Sequence, residues 1–139
     1  MIILAREFIR GLTDVDAKFG STEFARGDQN VPNPTTTAIL RAGDLADRAT
    51  LYRHDLAFAD PVRNPNPPGT AVPKNPHIFL FFSPGFFPAV ADVARGALQQ
   101  MAEFFASDGI SVIDPDGEEG PLFEVPVIPP LPEDLGFIP

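Results

Sequence analysis

The chain has no cysteine, no tryptophan, one tyrosine in 139 residues, and no lysine or arginine after Arg95. Without cysteine there is no disulfide and no thiolate metal ligand, and the redox compartment stays undetermined. No run approaches the ~20 apolar residues of a membrane span. The opening MIILAREFIRG sets Glu7 among its apolar residues and has no basic region before them. It therefore does not read as a signal peptide, and cytoplasmic synthesis is the expectation. There is no glycine-rich phosphate loop, no histidine pair at metal spacing, and no interleaving of bases with aromatics of the kind that grips single strands.

What is present suits a packed domain. Hydrophobic residues make up 44% of the chain, with 13 Phe. A chain of this size buries roughly 70% of its unfolded surface, so one domain without staples is the expectation. The net charge of −9 is unevenly placed. Residues 1–95 hold ten acids and all ten bases, whereas residues 96–139 hold nine acids and no base. That surface repels phosphate and offers no cationic groove, which argues against nucleic-acid recognition by charge. It reads either as a solubilising face or as an acidic face toward a basic partner, or as a lining that keeps DNA from sticking.

Along the chain, Leu4, Phe8, Leu12, Val15 and Phe19 make a helical stripe over residues 2–19, although Gly11 inside it costs about 1 kcal/mol relative to Ala. A strand over residues 2–9 followed by a turn is the other reading. Residues 20–34 form a loop with a short strand at Phe24. Residues 35–41, β-branched after Pro34, suit a strand. Residues 44–58 read either as a helix or as part of a hairpin with a strand over residues 49–59. Residues 60–76 carry six prolines, which forbid regular structure. If residues 49–59 and 77–82 pair, this segment is a projecting hairpin tip. Residues 78–82 are a continuous apolar run, as in a strand covered on both faces. Pro88 opens a helix to Ala106, with Val90, Val93, Ala94, Ala97, Leu98, Met101, Phe104 and Phe105 on one arc and Asp92, Arg95, Gln99 and Glu103 opposite. Gly109 caps it in the left-handed region, and residues 110–113 resume as strand. A short strand is expected over residues 122–125.

These elements predict an α+β fold: a mostly antiparallel sheet, one long helix in the C-terminal half packed on one face, an N-terminal helix where residues 2–19 are helical, and proline-rich extended arms. Residues 1–125 form the domain and residues 126–139 a proline-rich C-terminal arm. That arm holds Val127, Ile128, Leu131, Leu135, Phe137 and Ile138, too apolar for a disordered tail. It docks either on its own domain or on a neighbouring subunit.

No catalytic constellation emerges. His54 and Asp55 are sequence neighbours, which on a strand point to opposite faces. Ser83 lacks the Gly-x-Ser-x-Gly elbow, and Pro84 removes an N–H that would serve an oxyanion. Asp114, Asp116 and Glu118 resemble the start of a calcium loop, but Val125 stands where the bidentate acid belongs. The expectation is a non-enzyme with no cofactor and no metal.

The order of strand, polar excursion, apolar strand, helix and strand resembles phage tail terminators and the N-terminal domain of the proteins that cap contractile injection systems. The residues that carry the likeness are Leu51, Tyr52 and Arg53, then Arg63 and Asn64, then Pro67 and Pro68, then HIFLFF and the helix after Pro88. It spans about half the chain. The resemblance implies a homo-oligomeric ring, commonly a hexamer, on the end of a tube in a virion or phage-like particle. Neighbouring particle proteins would be its partners, with no membrane. Arg63, Asn64, Pro67 and Pro68 in the loop, and Val127, Ile128, Leu131, Leu135, Phe137 and Ile138 in the arm, would make the intersubunit contacts. The competing reading is a small-molecule-binding domain or small enzyme with a Phe-lined pocket. A third is a regulatory, antitoxin-like protein that uses its acidic end.

Overall fold

The computed structural model of the chain describes residues 21–65, 71–118 and 120–139. Both readings of residues 2–19 lie outside these residues.

Strand β1 (Thr22–Ala25) pairs in parallel with β2 (Ala49–Tyr52), Thr22 against Ala49 through Ala25 against Tyr52. Strand β3 (Phe123–Glu124) lies antiparallel on the other side of β2, with Tyr52 opposite Phe123. The fold is α+β, but the three-stranded sheet is mixed, not mostly antiparallel. Parallel neighbours need a crossover, and the crossover is helix α1 (Asn33–Gly43), built from residues expected to be strand.

Local chemistry explains that helix. Pro34 sits in the first turn, where a missing N–H costs nothing. The Thr37 hydroxyl donates to the Pro34 carbonyl at 3.2 Å. Asp44, at φ 51, closes the end in the left-handed region. Threonine lowers helix propensity by only a fraction of a kcal/mol. Helical spacing then turns Thr36, Thr37 and Leu40 inward, with Leu40 packed against Phe24 and Leu51.

Residues 49–59 divide at Arg53. Strand β2 ends at Tyr52, and a short helix α2 (His54–Ala59) follows, burying His54 and Ala57. The strand expected over residues 78–82 is a 3₁₀ turn, Phe79–Phe81. Its bonds are local: the Phe79 N–H donates to Pro76 at 2.8 Å and the Phe81 N–H to Ile78 at 2.8 Å. Phe79, Leu80 and Phe82 are buried, while Phe81 and Ile78 face water. Residues 77–82 do not pair with residues 49–59, so the two stretches make no hairpin; among the described residues of 60–76, Asn64, Val72 and Pro76 are buried.

The long helix forms as read. A 3₁₀ turn, Pro88–Val90, leads into α3 (Ala91–Ala106). Val93, Ala94, Ala97 and Phe104 are buried, but Leu98 and Phe105, expected on the buried arc, are exposed, and Gln100 is buried. Gly109, at φ 78, donates to the Phe104 carbonyl and ends the helix. Residues 110–113 form no strand; instead the Ile113 carbonyl accepts from the Gln100 side chain.

Side chains alternate across the sheet. Ala25, Tyr52 and Phe123 join Phe79, Val90, Val93 and Ala97 in a core on the α3 side. Phe24, Ala49 and Leu51 join Leu40, Leu45 and Val127 on the α1 side. Tyr52 is the hub of the first core, its ring 5.4 Å from Phe79 and 5.7 Å from Phe123.

Candidate interaction surface

Three features of the surface bear on function. The first is the course of residues 126–139, which run back over the α1 side of their own domain. The Val127 N–H donates to the Ala49 carbonyl at 3.1 Å, and its side chain is buried beside Phe24, Leu40 and Leu51. Leu131 packs half-buried on the same cluster. Beyond it the strap is held by polar side chains. Nη2 of Arg26 donates to both Asp134 carboxylate oxygens, at 3.0 and 2.8 Å. Buried Asn33 donates to the Asp134 carbonyl at 2.9 Å and accepts from the Gly27 N–H at 3.2 Å. Arg41 and the Thr37 hydroxyl both reach Glu133. Lys74 reaches the Pro139 carbonyl oxygen.

Of the arm residues singled out from sequence, Val127 therefore belongs to the chain's own core. Ile128, Leu135 and Phe137 stay exposed, and Ile138 is half-buried. Sequence reasoning missed the receiving side chains. Arg26, Asn33, Thr37 and Arg41 have no motif among them; the crossover brings them to one surface.

The second feature is the loop after α2. Arg63 binds Asp92 by two parallel bonds of 2.8 and 2.7 Å and donates to the Ala89 carbonyl at 2.8 Å. The Arg63 hydrogen bonds hold the Asp92 carboxyl below its usual range. Asn64 is buried, its amide donating to the Phe58 carbonyl at 3.0 Å. Both predicted contact residues thus fasten the loop to its own α2 and α3. Pro67 and Pro68 lie outside the described residues. Val62, 87% exposed, precedes Arg63, which is tied to Ala89 before α3; Phe86, 82% exposed, and Phe81 also face water. Residues 78–91, IFLFFSPGFFPAVA, carry no charge.

The third feature is the histidines. Nε2 of His54 lies 2.7 Å from the Pro73 carbonyl oxygen, and Nδ1 lies 3.2 Å from the Tyr52 hydroxyl. A carbonyl only accepts, so Nε2 carries the proton and the tyrosine donates to Nδ1. Burial pushes the His54 pKa down to about 4. Neighbouring Asp55 pairs instead with Arg53 at 2.7 Å, and Arg53 also reaches Glu124. His77 presents Nδ1 to both oxygens of buried Asp28, at 3.1 and 3.0 Å, and Asp28 also accepts the N–H groups of Asn30 and Val31. That orients the imidazole. Among the described residues no hydroxyl bonds to it, and Ser83 lies in a turn accepting from Phe86 and Phe87 through its carbonyl. No three His, Asp or Glu among the described residues are placed to hold a metal ion.

Comparison with protein-family models, with curated proteins and with solved structures finds no match.

Proposed function

We propose that the chain is a structural subunit of a larger assembly, held to sister copies through its surface. The finer form of the reading is a ring protein at the end of a phage-like tail, a terminator or cap, in a virion or related particle. The observation that carries the proposal is the charge-free run over residues 78–91, in which Phe86 and Phe81 are 82% and 66% exposed. Burying one such side chain is worth about 1.5–3 kcal/mol. Large apolar groups clustered on a surface mark sites of protein association. Val62, beside Arg63 and 87% exposed, adds further apolar surface.

This aromatic rim is a different contact surface from the one the resemblance implies. Arg63 fixes the loop to α3 and Asn64 fixes it to α2. Light scattering behind a sizing column tests the reading. The expected result is a discrete oligomer, with self-association weakened at least about tenfold by Phe81→Ser with Phe86→Ser, the loss of ~1.4 kcal/mol or more of contact. A chain that stays monomeric at every concentration removes the proposal.

A further inference from the structure

We propose that the groove formed by Arg26, Asn33, Thr37, Arg41 and Lys74 is a receptor for the C-terminal strap of a second copy, so that neighbouring subunits exchange straps. The inference rests on the reading of the chain as an assembly subunit.

Charge is the first argument. The strap carries Glu133 and Asp134, and no base occurs within residues 96–139. Its two carboxylates can pair only with bases from residues 1–95, of this copy or another. In the structure each meets one arginine, Asp134 with Arg26 and Glu133 with Arg41.

The second argument is the exposure of the strap's carboxylates. Arg41 and Glu133 are both 53% exposed, and Asp134 is 58% exposed. Ion pairs so open to water are weak and screened by salt. Val127 and Pro132 are buried and Leu131 is half-buried on the α1-side cluster. Residues 128–132 hold three prolines.

The third argument is what docking in place leaves unburied. Ile128 is 68% exposed, Leu135 51% and Phe137 41%. On its own domain the strap satisfies its acids and leaves these side chains in water. Where the same strap crosses to a neighbour, the junction between the copies covers them. Exchange of an identical segment keeps every polar contact and adds that burial.

A charge cross tests this with whole chains. One variant carries Glu133→Arg and Asp134→Arg; the other carries Arg26→Glu and Arg41→Glu. Neither can dock its own strap, but each fits the other. Alone, each is expected to expose residues 133–139 to protease. Mixed, they are expected to form a one-to-one complex in native mass spectrometry, with cleavage slowed about tenfold and the protection lost in high salt. A mixture in which each variant behaves as it does alone overturns the proposal. Should Arg26→Glu, beside Asp55, unfold the chain, Arg41→Glu crossed with Glu133→Arg repeats the test on exposed residues. Phe81 and Phe86 are intact in all these chains. A failed cross in a wild type that still assembles through them removes the strap exchange and leaves the assembly reading. A successful cross with no effect of Phe81→Ser or Phe86→Ser does the reverse to the aromatic rim.

Discussion

Glu23 lies directly opposite Thr50 in the parallel pair, on the face that meets α3, and among the described residues neither the Glu23 carboxyl nor the Thr50 hydroxyl has a hydrogen-bond partner. Burial alone pushes the Glu23 carboxyl up to about 8. The folded chain therefore keeps a proton there that the unfolded chain releases near 4.5. Stability contributed by the neutral acid is present below 4.5, falls as pH rises toward 8, and is gone above it. Glu23→Met, of similar volume and without charge, is expected to raise stability at pH 8.5 by about 1–3 kcal/mol. It should also flatten the decline between pH 6.5 and 8. Urea melts across that range decide it; an unchanged slope in the variant would show that Glu23 is not the source.

His54 works in the opposite sense. Its folded pKa, near 4, lies below the ordinary 6.5, so the fold requires the neutral ring. The stability tied to that ring is present above 6.5 and is lost as pH falls through 4. Between 4.5 and 6.5 one proton is disfavoured at His54 and one favoured at Glu23, and the two slopes cancel. The expected profile is a plateau there, with losses on both sides. Imidazole resonances of His54 should show no titration above about pH 5 and a proton on Nε2. Tyr52→Phe, which removes the donor to Nδ1, should cost about 1 kcal/mol. A ring titrating near 6.5 in the folded chain contradicts this account.

Gly27 controls the seat of the strap. It stands at φ +81, and a Cβ there would come within 2.5 Å of the Gly136 carbonyl oxygen. Gly27→Ala combines left-handed strain with a backbone clash, so the strap must lift. The expected loss is about 1–3 kcal/mol, with faster proteolysis of residues 133–139 and the domain still folded. Gly85→Ala, whose Cβ meets open space, is the control. Equal protection of the strap in both variants would contradict the close packing.

The long helix was legible because its signals are local: a proline at the start, an apolar period, a glycine at the end. Strand identity was legible only in part: the strands expected at Phe24 and within residues 122–125 form as β1 and β3, and the one over residues 49–59 shortens to β2. Residues 35–37, three threonines, carry strand propensity, yet the crossover from β1 to β2 makes them helical, because Leu40 then reaches Phe24 and Leu51. Residues 78–82 have the composition of a buried strand but no ladder beside them, so they turn on themselves and still bury Phe79, Leu80 and Phe82. Leu98 and Phe105 satisfy the helical arc but lie at its edge, where period alone does not say what covers them. The groove was invisible for a different reason. Arg26 and Asp134 are 108 positions apart, and no local pattern announces such a pair.

The order of synthesis gives the Val127–Ala49 bond a temporal meaning. Residues 22–52, which include β1, α1 and β2, are made before the strap, and Val127 follows Tyr52 by 75 positions. At 5–20 residues per second, roughly 4–15 s pass before a nascent chain owns the segment that completes this side of its sheet.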